Sequence, residues 1–139
     1  MSEEPFSGTC VLLVEDDIAI AEQTERQLKT LGYGEVLVVT SLNDAQEVSE
    51  SDDVEVALLD VNMADGMQTV GLGRALAANG IRVLFMSGFN PEEMARATRG
   101  FEFVEKPLSL PRLKAALHRA FVRTPAVEID SDTDAPDPR

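Results

Sequence analysis

Five short apolar runs, each ending on polar residues and each followed by a stretch of helical periodicity, restrict this 139-residue chain more than any other feature. The runs are CVLLV (10–14), EVLVVT (35–40), VEVALLD (54–60), IRVLFMS (81–87) and FEFVEK (101–106). Near-continuous apolar runs of this length read as strands covered on both faces, the pattern of a parallel sheet. Between them, Ile20, Thr24, Leu28 and Leu31 make one stripe of a helix with Gly32 as its stop. Ser41 with Asp44 forms a capping-box pattern ahead of Leu42, Ala45 and Val48. A third helix is expected from about Gln68 to Asn79, closed by Gly80. GFNPEEMARATRG holds a short fourth, and Leu110, Leu113, Leu117 and Phe121 stripe a last one. Because each parallel connection needs a crossover, the expected fold is α/β: a five-stranded parallel sheet with helices on both faces.

Composition narrows the function classes. The length suits one domain with a real core, at 44% hydrophobic residues. A formal charge of −13 repels DNA, RNA and anionic lipid, and no basic run compensates, so neither a nucleic acid nor a membrane is an expected partner. No stretch approaches the roughly 18 apolar residues of a membrane span, and the opening MSEEPFSG is acidic, so a cytoplasmic protein is expected. Cys10, the only cysteine, excludes an internal disulfide and is expected to be a buried structural thiol. Residues 1–8 are expected to be flexible, 9–123 to form the domain, and 124–139, rich in acids and prolines, to be a disordered tail.

In an open parallel sheet, ligands bind beyond the carboxyl ends of the strands. Strand one ends on Glu15 and Asp16, strand three on Asp60, strand four on Ser87 and strand five on Lys106. Adjacent carboxylates at the edge of a core repel one another and lose water, so they are either solvated or hold a cation. Oxygen ligands of this hardness suit Mg²⁺ or Mn²⁺. A hydroxyl and an ammonium opposite such a cluster make a place for a phosphoryl group, and Asp60 is the candidate nucleophile that would become an acyl phosphate.

At these residues the chain resembles the receiver domain of bacterial two-component response regulators. The likeness runs from about Thr9 to Arg123 and rests on LLVEDD, ALLDVNM, LFMSG and FVEKP, in that order. It implies the flavodoxin-like strand order 2-1-3-4-5. It also implies that Asp60 takes a phosphoryl group from a sensor histidine kinase or a histidine phosphotransfer protein. Asp16 and Asp60 would bind Mg²⁺ directly, Glu15 largely through water, and Asn62 through its backbone carbonyl. Ser87 and Lys106 would contact the phosphoryl oxygens, Phe103 would occupy the aromatic switch position, and the Lys106–Pro107 bond would be cis. Three features depart from the commonest pattern: Ser87 replaces threonine, Ala64 replaces a proline, and the stretch from Ser87 to Lys106 is short.

The expected function is a single-domain response regulator, a phosphoacceptor rather than an enzyme on other substrates, which switches protein contacts, relays phosphate or stores it. It would be a monomer or a phosphorylation-dependent dimer. The rivals are a phosphorylation-independent interaction module and a small aspartyl phosphatase, the latter disfavoured because Asn62, not an acid, follows Asp60 by two residues. Asp17 is read as a helix cap and His118 as a surface residue. Phe89 is a candidate shield for the phosphoryl group. Arg96, Arg99, Arg112, Lys114, Arg119 and Arg123 give the last third a basic face that is either solvated or meets an acidic partner.

Overall fold

The apolar runs become five strands: β1 (Cys10–Val14), β2 (Glu35–Val39), β3 (Val56–Asp60), β4 (Arg82–Ser87) and β5 (Glu102–Glu105). The helices are α1 (Ile18–Thr30), α2 (Leu42–Ser51), α3 (Gly66–Ala78) and α4 (Leu110–Arg123). The computed structural model describes residues 10–51, 53–61, 63, 66–88, 92, 96, 98 and 100–124. Of the short helix expected between β4 and β5, Glu92, Arg96 and Thr98 are described, and all three are helical. Asn62, Ala64 and Phe89 lie outside the described residues.

All strand pairs are parallel, in the order β2-β1-β3-β4-β5. Side chains alternate across the sheet and divide the core in two. One layer joins Val11, Leu13, Leu58 and Met86 to Leu28 of α1 and to Leu113, Ala116, Leu117 and Ala120 of α4. The other joins Leu12, Val14, Ala57, Leu59 and Phe85 to Ala45 of α2 and Leu76 and Ala77 of α3. Every residue of β3 is buried, whereas the edge strands β2 and β5 are only partly covered. Among the described residues no helix is long and apolar enough to cross a membrane.

Capping sets the helix ends. The Asp17 carboxylate accepts from Ile20 N at 3.1 Å, and the Ser41 hydroxyl accepts from Asp44 N at 3.1 Å. Gly32, at φ 104°, closes α1 in a Schellman motif, with Tyr33 N donating to Leu28 O and Gly32 N to Lys29 O.

Four expectations need correcting. Cys10 is half-buried rather than buried, because it is the first residue of β1, where the sheet begins. Phe121 is 40% exposed, since the buried stripe of α4 runs through Leu113, Ala116, Leu117 and Ala120 and turns Phe121 outward, its ring under Arg82. α3 starts two residues before Gln68. His118 is exposed, as expected. Thr124, assigned to the tail from sequence, caps α4: its hydroxyl donates to Ala120 O at 2.6 Å and accepts from Val83 N at 3.1 Å.

Two glycines of α3 behave oppositely. A Cβ on Gly73 would lie 2.5 Å from the Phe85 ring and 3.1 Å from Leu59 Cδ1, and that ring is fully buried and packed edge-on against Phe101. Gly71 faces open space. Gly71→Ala is therefore expected to stabilise the fold by about 0.5–1 kcal/mol through helix propensity. Gly73→Ala is expected to destabilise it by about 1 kcal/mol or more, overpacking outweighing propensity. Urea unfolding of the two variants checks both signs.

Candidate functional site

The strand order decides which strand ends meet. Asp60 ends the central β3, Glu15 follows its neighbour β1, and Ser87 ends β4 on the other side. The ladders continue past the strands: Glu15 N donates to Val39 O, Val61 N to Met86 O, and Lys106 N to Ser87 O at 2.8 Å. These bonds hold the residues that carry the chemistry on the sheet rather than on free loops.

At this edge Lys106 Nζ lies 2.9 Å from Glu15 Oε1 and 3.0 Å from Asp60 Oδ1. Both carboxylates are 1% exposed. Asp16, beside them, is exposed. Glu15, Asp16 and Asp60 each offer a carboxylate oxygen, and the three oxygens lie within 4.8 Å of one another. Three oxygens converging this closely, one of them open to solvent, fit a hard divalent cation that keeps part of its water shell. This acidic cluster could hold a metal ion.

Electrostatics follow from burial. Loss of water, and then the neighbouring Asp60, push the Glu15 carboxyl up from 4.5 to about 7, against the opposing pull of Lys106 and the Asp17 N–H. For Lys106, burial favours the neutral amine, but Glu15 and Asp60 outweigh it and the net shift is upward. The site thus keeps its ammonium charged while one of its carboxyls is poised near neutrality.

The sequence-derived residues Glu15, Asp16, Asp60 and Lys106 are brought together, and Ser87, fully buried, ends the strand that the Lys106 side chain spans. Phe103 is half-buried and pairs in register with Phe85, while Phe101 is core. The Lys106–Pro107 peptide is cis. Asn62 and Phe89, assigned a metal and a shielding role, lie outside the described residues. What sequence reasoning missed is the direct Glu15–Lys106 ion pair and a cleft of about 290 Å³ lined by Ile20, Gln23, Thr24, Lys106, Pro107 and Leu108. The apolar Ile20 and the Leu108 following Lys-Pro were the available signal for that cleft.

The Glu15 shift has a definite sign. Between about pH 4.5 and 7 the folded chain holds a proton on Glu15 that the unfolded chain has lost, so stability falls as pH rises through this window. Lys106 stays charged throughout and adds no slope. In chelating buffer the loss is expected to be at most on the order of 3 kcal/mol, and Glu15→Gln is expected to flatten it. Denaturant midpoints across this pH range, wild type against variant, provide the measurement.

Comparisons with known proteins agree with this geometry. The family model of the response regulator receiver domain matches residues 11–118. The transcriptional regulatory protein ZraR of Escherichia coli K12 is 31% identical over 126 residues, covering 87% of this chain and 28% of the relative, so the chain spans little more than a quarter of that protein. Among solved structures, the BeF3-activated conformation of SdrG from Pseudomonas melonis Fr1 is similar at 28% identity and a TM-score of 0.72, over 83% of this chain and 98% of that one. A receiver domain from Methylobacillus flagellatus is similar at 27% identity and a TM-score of 0.67, over 82% and 99%. With its fold, its strand-end residues and its family match in agreement, the chain belongs to the response regulator receiver domain family of two-component signalling.

Proposed function

We propose that Asp60 is the phosphoryl acceptor of a phosphorylation switch, loaded by a phosphohistidine on a sensor kinase or histidine phosphotransfer protein in the cytoplasm. The observation that carries this reading is the Lys106 ammonium held between Glu15 and Asp60, with Asp16 open beside them. An Asp60 oxygen forms the new O–P bond as the P–N bond to imidazole breaks, and the imidazole leaves with the electron pair. Lys106 orients the acceptor and neutralises an incoming phosphoryl oxygen. The Ser87 hydroxyl contacts another such oxygen. Bound through Asp16, Asp60, the Asn62 carbonyl and, via water, Glu15, Mg²⁺ would supply charge neutralisation between the acceptor and the incoming anion.

The surroundings suit a docking partner. Ile18, 59% exposed, starts α1 just past the acids, and the cleft between Ile20 and Leu108 opens beside the lysine. An apolar patch next to charged chemistry is what a phosphodonor protein needs to seat its histidine. Signal then leaves through contacts with a protein target, a change of the β4 and β5 surface biased by the new charge, with either monomer or dimer as its carrier.

Intact mass after incubation with acetyl phosphate and Mg²⁺ tests the reading. The expected outcome is a gain of about 80 Da, one phosphoryl group, absent in Asp60→Asn and absent in chelator. An unmodified mass with folded protein, from both acetyl phosphate and a phosphohistidine donor, would favour the phosphorylation-independent module. Mg²⁺ alone is expected to raise the unfolding midpoint, by about 2.7 kcal/mol in stability at a hundredfold excess over Kd, and Asp16→Asn is expected to abolish that gain.

A further inference from the structure

α3 lays one buried stripe on the sheet, Thr69, Gly73, Leu76 and Ala77. Gly73, Leu76 and Ala77 suit the apolar layer they join with Leu59 and Phe85. Thr69 does not. It is 0% exposed, and its Oγ1 has no hydrogen-bond partner among the described residues. A threonine in a helix ordinarily returns its hydroxyl to a carbonyl one turn back. Left without any partner, a buried hydroxyl has lost its water with no compensation, so it calls for a bond made in another state of the molecule.

The packing of α3 shows where that hydroxyl stands. The helix leaves the end of β3 and returns to the start of β4, antiparallel to both strands. At Gly73 it crosses the Phe85 ring and Leu59. From Gly73 back to Thr69 the helix climbs about 6 Å toward the acidic edge. From Phe85 on to Ser87, β4 climbs roughly 7 Å in the same direction. Val83 and Phe85 belong to the core layer on the α3 side, Leu84 and Met86 to the opposite one, so alternation assigns Ser87 to the α3 side. Thr69 is therefore the residue of the buried stripe level with Ser87, which is itself 0% exposed.

We propose that Thr69 is a positioning residue for Ser87: when the Ser87 hydroxyl donates to the phosphoryl group on Asp60, its oxygen accepts a hydrogen bond from Thr69 Oγ1. This rests on the reading of Asp60 as the phosphoryl acceptor. A hydroxyl carries one proton and two lone pairs, so Ser87 can give its proton to the phosphoryl oxygen and still accept from Thr69. Serine has no β-branch, which leaves its hydroxyl free to turn between rotamers. The bond from Thr69 polarises the Ser87 hydroxyl and strengthens its donation to the anion. Because the unmodified chain leaves Thr69 unbonded, forming this bond biases the domain toward the phosphorylated arrangement.

The test titrates beryllofluoride, an anionic stand-in for a phosphoryl group, with Mg²⁺ onto wild type, Thr69→Val, Thr69→Ser, Ser87→Ala and the double variant Thr69→Val/Ser87→Ala. Urea midpoints are measured on the same proteins without either ion. Thr69→Val keeps the shape and removes the hydroxyl. It is expected to leave the midpoint of the unmodified chain unchanged or raised, yet to weaken beryllofluoride binding about fivefold, the worth of one hydrogen bond. Thr69→Ser is expected to bind as wild type does, and in the Ser87→Ala background Thr69→Val is expected to change nothing. Unchanged binding by Thr69→Val, or an equal loss with and without the Ser87 hydroxyl, would overturn the role of Thr69 alone. A lowered midpoint of unmodified Thr69→Val would overturn it too, by showing the hydroxyl already bonded. Wild type that binds no beryllofluoride and gains no mass from acetyl phosphate would overturn the Asp60 reading, and this proposal with it.

Discussion

A half-buried ammonium between two buried carboxylates is the constraint around which this domain is arranged. Lys106 starts beyond β5, yet its amine reaches Asp60 on β3 and Glu15 after β1, passing over the end of β4. Neighbouring strands are about 4.8 Å apart, so only a long side chain launched from the sheet edge can make this span. Removing the ammonium from such a cluster leaves two buried carboxylates without compensation, which costs roughly 3–5 kcal/mol. The ion pairs therefore link the register of β1, β3 and β5 to the electrostatics of one point.

The charge balance there is incomplete. Three carboxylates face one ammonium, and the strain shows on Glu15, whose proton affinity rises until it is poised near neutrality. A domain optimised for stability alone would not hold this excess. A hard cation held by Glu15, Asp16 and Asp60 would offset it. The packing below resists distortion: Gly73 lets α3 lie directly on Phe85 and Leu59, one residue from Met86 and Asp60 on the same strands.

Much of this was legible in the sequence because the relevant signals are local. A parallel sheet buried on both faces leaves unbroken apolar runs, and the polar residue that ends each run is where function can reach solvent; Glu15, Asp60, Ser87 and Lys106 follow from that. Asp17 and Ser41 are legible for the same reason, since a cap is set by residues three positions apart. Cys10, Phe121 and Thr124 were not. The burial of Cys10 depends on where the sheet begins. Phe121 fits the helical period but falls off the stripe that α4 buries through Ala116 and Ala120, small residues that carry little sequence signal. Thr124 is tied to the sheet by a bond from Val83, 41 residues earlier in the chain.

The same ladder that builds the site also bounds how it can signal. Ser87 O accepts from Lys106 N, and two residues back along β4 Phe85 pairs with Phe103, which lines a cleft shared with Arg112 and Arg119. Ser87 is thus linked to the exposed edge of the sheet through two residues of β4 and the hydrogen-bonded pairing of β4 with β5. Moving a two-state element from 1:99 to 99:1 takes about 5.5 kcal/mol of differential interaction. A hydrogen bond to a charged group contributes roughly 1.5–3 kcal/mol, so under the proposed switch a phosphoryl group bonded by Ser87 or by Lys106 alone would fall short. Bonds from both would supply roughly 3–6 kcal/mol, a range whose upper end meets the requirement.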